Sequence, residues 1–288
     1  MFSTLPSTLE SKLNSSPIDT FTIPLSNSLA LRAYSDTRPH NWKTADLQKG
    51  LILVHNGTEM VGEGTGFGVP ILIYANETYF SASAIVCLSR QENLTIIRKE
   101  FLMDRIARNR FRSVSLENRK ARAILRYIAA LYQRHRRLRF LALKGLIGEM
   151  DVHSGFVKTI PAGEIIVTYI IGLGRIQVKA DFSLLKRENL QRISLLNEQS
   201  SRFFRKYLDS DKAELTDGQI GAWDTIRSEW ACLTDLQGRF GFRLWQADNS
   251  VLRMGREFLK DSLDWVGLDY EIDPRSTVAE YEIEILGV

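Results

Sequence analysis

Hydrophobic and polar residues along most of this chain alternate in short runs, the period of strands rather than of helices. Residues 21–24 and 28–34 open the series. Residues 51–55 run into Asn56-Gly57, the strongest two-residue hairpin signal in the sequence, and 58–61 continue on its far side. Residues 69–74 and 78–87 follow, with Asn76-Glu77 as the turn between them. Farther along, 156–160, 164–171, 175–182, 222–233, 240–246, 251–258 and 278–286 read as strands, the second and third joined by Gly172-Leu173-Gly174. In the last, Val278, Tyr281, Ile283 and Ile285 oppose Glu280, Glu282 and Glu284, as expected of a half-buried antiparallel strand with an acidic outer face. Residues 184–208 keep no clean period, and their second half is expected to be helical.

The period changes once, over 115–147. Ile124, Leu125, Ile128, Leu131 and Tyr132 fall on one helical stripe, with Arg119, Arg122, Arg126 and Arg137 on the opposite side. Ser113 or Ser115 suits the N-cap, and Gly145 and Gly148 suit the stop. The expected fold is therefore mainly β: a large antiparallel β-sandwich with an inserted basic amphipathic helix, α+β being the alternative. Strand–helix–strand alternation is too scarce for a parallel sheet. The expected organisation is a leader over 1–19 and a single β-rich domain over 20–288, with the helical insertion at about 113–148.

Composition adds one decisive asymmetry. At 44% hydrophobic and 25% charged, the chain is ordinary for a globular protein. Residues 105–144, however, hold thirteen Lys or Arg and one acid, Glu117. That is +12 in a chain whose total is +4, which leaves −8 for the remainder. Such a segment docks on acidic surface of its own chain or subunit, or faces an acidic partner or polyanion. A nucleic-acid reading lacks the aromatic stacking motifs it needs. The opening residues have no basic start or apolar run, and no stretch reaches the length of a membrane-spanning helix, so the expected compartment is the cytoplasm. Asn56, Asn76 and Asn93 each begin an Asn-x-Thr triplet and are read as turn residues. Cys87 and Cys232 each sit in an apolar run, where buried free thiols are expected.

Known chemical signatures are missing. The glycines at 62, 64, 66 and 68 lack the spacing and the following helix of a dinucleotide or phosphate loop; they read as an arch or bulge where backbones approach closely. There is no serine-hydrolase elbow, and the four histidines have no metal-binding spacing, so no metal or cofactor is expected. The candidates that remain are these. Glu149, Asp151 and His153 alternate, so on a strand they share one face, where two carboxylates and an imidazole can do acid–base work. Glu63 is an acid inside the glycine run. His55 ends a strand. Asn197-Glu198-Gln199 and Trp223-Asp224 place amides and acids beside aromatic residues, the composition of many sugar sites. Arg119, Arg122 and Arg126 would carry the polyanion alternative.

Gly62-Glu63-Gly64-Thr65-Gly66-Phe67-Gly68-Val69-Pro70, with Tyr79-Phe80-Ser81 and the many-stranded run to the C-terminus, resembles the large antiparallel sandwiches of the galactose-mutarotase-like group. The resemblance is architectural. It implies a carbohydrate-related sandwich that binds or modifies a sugar. Epimerases of that group use a His and a Glu, for which His153 or His55 with Glu63 would be the counterparts here. The basic helix departs from the group's pattern.

Overall fold

Alternating runs become antiparallel strands throughout the computed structural model, which describes residues 20–34, 49–62, 64–75, 77–81, 83–91, 94–103, 106–108, 156–157, 162–221, 223–259 and 263–287. A small sheet comes first: β1 (Thr20–Pro24), β2 (Leu29–Tyr34), β3 (Ile52–His55) and β4 (Thr58–Glu59), in that order. An eight-stranded sheet runs β10 (Phe156–Val157), β9 (Ile106–Arg108), β6 (Glu77–Phe80), β5 (Gly66–Tyr74), β13 (Leu190–Gln199), β20 (Leu263–Ile272), β19 (Ser250–Leu259) and β16 (Asp224–Thr225). A nine-stranded sheet runs β15 (Glu214–Thr216), β14 (Lys206–Asp209), β17 (Trp230–Thr234), β18 (Gly241–Trp245), β21 (Val278–Leu286), β12 (Arg175–Asp181), β11 (Glu164–Gly172), β8 (Leu94–Leu102) and β7 (Ser83–Gln91).

The two large sheets share one core. Phe67, Leu72, Leu195, Leu268 and Tyr270 from the eight-stranded sheet pack with Phe101, Val167, Tyr169, Val178, Phe242 and Tyr281 from the other. Rings cross the gap directly: Phe67 meets Phe242 edge-on at 5.1 Å, and Tyr270 meets Tyr281 at 4.5 Å. The expected antiparallel sandwich is what the pairing forms. Both expected hairpin turns are also present. Asn56 and Gly57 have φ of 49° and 78°, and Leu173 and Gly174 have 47° and 76°, the two positive values that a twist-matched two-residue turn requires.

The glycine run is the arch of close backbones that the sequence suggested. A Cβ on Gly66 would stand 2.6 Å from the carbonyl oxygen of Leu51, and one on Gly64 2.8 Å from that of Glu198. Phe67 bridges to Leu51, tying the small sheet's chain to β5. At Gly68 (φ 76°) the Tyr169 hydroxyl fills the space a side chain would need, and it donates to the carbonyls of Phe67 (2.9 Å) and Gly68 (3.2 Å).

Four expectations are corrected. The second half of 184–208 is not helical: it carries the last part of β13 and most of β14. β13 lies between β5 and β20 and is buried on both faces toward its C-terminal end, which erases the alternation that marks a strand. Residues 78–87 are not one strand; the chain leaves the eight-stranded sheet after Phe80 and enters the nine-stranded one at Ser83. Residues 222–233 likewise divide between β16 and β17, in different sheets. Cys232 is buried and free, but Cys87 is exposed. Four strands, β8, β9, β15 and β20, were not anticipated. β8 is disguised by Lys99, which occupies a core position between Ile97 and Phe101. The leader 1–19 and the helical insertion at about 113–148, with Arg119, Arg122 and Arg126, lie outside the described residues.

Candidate functional site

Strand β20 has two faces. Val266, Leu268, Tyr270 and Ile272 point into the core, so Trp265, Gly267, Asp269 and Glu271 point to the other side of the sheet. Register fixes their neighbours. Gly267 lies opposite Glu198 of β13 and Gly255 of β19, and Asp269 lies opposite Arg253. The outer face of the eight-stranded sheet thus gathers Glu198, Asp269, Arg253, Glu271 and Trp265 around two bare glycines.

Glu198 and Asp269 lean over the same point. A Cβ on Gly267 would stand 2.9 Å from Glu198 Cγ and 3.1 Å from Asp269 Oδ1. Glu198 is 8% exposed and Asp269 5%. Burial disfavours the charged form of each. It pushes the Glu198 carboxyl up to about 7, against the pull of the Thr65 hydroxyl and backbone amide and the Lys49 ammonium. The Thr65 hydroxyl donates to Glu198 Oε2 at 3.3 Å. Asp269 is held well above the usual carboxylate range by burial and then by the charge of Glu198; the Asn197 amide, donating at 2.7 Å, and Arg253 act the other way. Two carboxyls that cannot both ionise easily, one close to neutrality, can give and take a proton at physiological pH.

Several hydrogen bonds frame them, although both polar atoms of the buried Gln199 side chain have no partner among the described residues. The Asn197 side chain accepts from the Gly68 amide (3.1 Å) and the Tyr281 hydroxyl (3.0 Å) and donates to the carbonyl of Leu268 (3.1 Å). Lys49 donates to the carbonyls of Gly62 and Gly64, fixing the arch that carries Thr65. Along the sheet, Glu271 Oε2 accepts from Arg192 (3.2 Å) and Arg253 (2.8 Å). Arg253 also donates to the Trp223 carbonyl at 3.2 Å. Trp223 covers Gly255, where a Cβ would collide with its ring at 2.5 Å, and stacks on Trp265 at 5.1 Å and 15°. A flat aromatic pair therefore stands on the same face as the two carboxyls.

Of the residues singled out from sequence, Trp223 and Glu198 meet on this face. Asp224 follows Trp223 on β16 and is exposed. His55 is elsewhere, at the end of β3, with its ring 4.6 Å from Phe240. Glu63, Glu149, Asp151 and His153 lie outside the described residues. Asp269 went unnoticed because its strand did. The signal was present, in the strict alternation of Val266, Leu268, Tyr270 and Ile272. Among the described residues, no three His, Cys, Asp or Glu side chains cluster as metal ligands, and no helix is long and apolar enough to cross a membrane.

No protein-family model matches the chain, and no curated protein matches its sequence. Solved structures do. An α-N-acetylgalactosaminidase, NagBb from Bifidobacterium bifidum, in complex with GalNAc, is similar over 92% of this chain at 8% identity and a TM-score of 0.49. This chain spans only 36% of that enzyme's length. The Slr1438 protein from Synechocystis sp. PCC 6803 is similar over 95% of this chain and 97% of its own, at 10% identity and a TM-score of 0.41. A galactose mutarotase related enzyme from Lactobacillus acidophilus is similar over 92% and 97%, at 8% identity and a TM-score of 0.35. All three TM-scores lie below 0.5.

Proposed function

We propose that the outer face of the eight-stranded sheet binds a sugar, and that Glu198 and Asp269 move a proton on it. The observation that carries this reading is the pair of buried carboxyls with raised proton affinity beside the stacked Trp223–Trp265 rings. A pyranose presents an apolar face of C–H groups that rests on a flat aromatic surface, while its hydroxyls need fixed polar partners. Arg253, Glu271 and Arg192 supply such partners along the sheet.

The chemistry open to this set without a cofactor is acid–base exchange at the anomeric centre. One carboxylate takes the proton of the anomeric hydroxyl while the neighbouring carboxyl gives a proton to the ring oxygen, and the ring opens to the aldehyde. Reclosure on the other face of the carbonyl reverses both transfers and returns the other anomer. Each carboxyl ends as it began once both steps are counted.

The test is titration with a panel of aldoses, followed by Trp fluorescence and melting temperature, and then polarimetry of a freshly dissolved binding sugar. Binding is expected to quench or shift the Trp223–Trp265 emission, and the protein is expected to speed the approach to anomeric equilibrium. Glu198→Gln should abolish that acceleration while binding survives. A panel in which no sugar alters either signal refutes the sugar site. Binding without acceleration refutes the proton-transfer role alone.

A further inference from the structure

A recess that neither Glu198 nor Asp269 lines opens elsewhere on the molecule. It has a volume of about 380 Å³ and is walled by the β3–β4 hairpin, the loop after β13 and the β17–β18 turn. Three arginines, Arg202, Arg205 and Arg239, line it together with His55, against one acid, Asp235. Its floor includes Phe240, on which the His55 ring rests.

The arginines are anchored in a particular way. Arg202 meets Asp264 through Nε at 3.2 Å, and Arg239 meets Asp235 through Nε at 2.7 Å. Both carboxylates are almost fully buried, with side chains 6% exposed, whereas the two arginine side chains are 60% and 66% exposed. Asp264 is itself fixed by the hydroxyls of Ser200 (2.6 Å) and Ser201 (2.7 Å) and by the Arg202 amide (3.1 Å). Asp235 is fixed by the Arg239 amide at 2.6 Å. Among the described residues, the terminal nitrogens of Arg202 and Arg239 have no carboxylate partner. Arg205 is occupied by Asp217 through Nε (2.9 Å) and one terminal nitrogen (2.6 Å).

We infer that this recess binds a small oxyanion, inorganic phosphate or the phosphate group of a small metabolite, between the free edges of Arg202 and Arg239. Arg239 donates from Nε to Asp235, which leaves its terminal nitrogens as a second, planar pair of donors that suits the oxygens of a phosphate, and Arg202 is drawn to Asp264 as an ion pair. Buried carboxylates behind the arginines restrict rotation, so little side-chain entropy remains to be lost on binding. The same carboxylates offset most of the positive charge, so binding is expected to be moderate, with Kd of about 0.1–1 mM. The inference does not rest on the sugar reading.

The experiment is calorimetric titration of the full chain with inorganic phosphate and with glycerol phosphate at about 0.15 M salt, an ionic strength that screens exposed charges. Wild-type protein should bind one equivalent of each. Arg202→Gln and Arg239→Gln should each weaken binding about tenfold, the loss of one charge-assisted contact. Arg202→Lys should weaken it too, because the fork is lost while the charge stays. Thermal melting of each variant checks that it is folded. Glycerol phosphate binding while inorganic phosphate does not would make the ligand an ester. Binding that persists in a folded Arg202→Gln, Arg239→Gln double variant would place the anion elsewhere, for example on residues 105–144, and overturn the assignment. So would no saturable binding up to 10 mM, about tenfold above the expected range.

Discussion

Lys99 offers the sharpest test of how the core is built. It sits on β8 between Ile97 and Phe101, fully buried, and its Nζ donates to the Lys49 carbonyl. Burial disfavours the ammonium and lowers its pKa from an ordinary 10.5 to about 7. The gap corresponds to about 5 kcal/mol at 1.36 kcal/mol per tenfold change in proton affinity. The unfolded chain keeps its proton up to about 10.5 while the folded one releases it near 7, so the unfolded state binds more protons between those values. Stability attributable to Lys99 therefore rises with pH across that window. From pH 7 to pH 9 the gain is about 2 kcal/mol. Lys99→Met keeps the length of the side chain and removes the amine. At pH 7 it should stabilise the protein by about 2–3 kcal/mol, the desolvation cost less the hydrogen bond lost at Lys49. Near pH 9 the two proteins should be about equal. The assay is urea unfolding of both proteins at pH 6, 7, 8 and 9. Other titrating groups cancel in the difference between them. A difference that stays constant across this range would refute the argument, because it would mean the amine keeps its proton in the folded state.

Glu198 gives the opposite slope. Its folded pKa of about 7 lies above the unfolded value of 4.5, so the stability it contributes is present below 4.5 and fades as pH rises toward 7. Glu198→Gln should remove up to about 3 kcal/mol of that pH dependence, measured by unfolding between pH 4.5 and 7. Leu173 is 99% exposed at φ 47°, a position asparagine adopts more easily. Leu173→Asn should raise stability by about 0.5–1 kcal/mol, read as a higher urea midpoint with unchanged slope.

Local order was largely written in the sequence. Alternation specified most strands because a half-buried strand must repeat every two residues, and the Asn56-Gly57 and Leu173-Gly174 turns followed from their need for positive φ. The antiparallel sandwich followed from strands without intervening helices. Glycines 64, 66 and 68 declared a close approach, although not what approached. Local pattern failed where burial came from both sides or where a charged group occupied a core position. β13 lost its period between two neighbours, and Lys99 disguised β8. Sheet assignment was also beyond reach. Nothing local tells residues 78–87 to change sheets after Phe80, because that depends on which strands they meet in space. The candidate site is the clearest case. Glu198 and Asp269 lie far apart in sequence and are ordinary acids as written. Only the pairing of β13 with β20, which brings both carboxyls over Gly267, removes water from them and raises their proton affinity. Periodicity is a property of neighbours in the chain, whereas desolvation is a property of neighbours in space, and the site is made by the second.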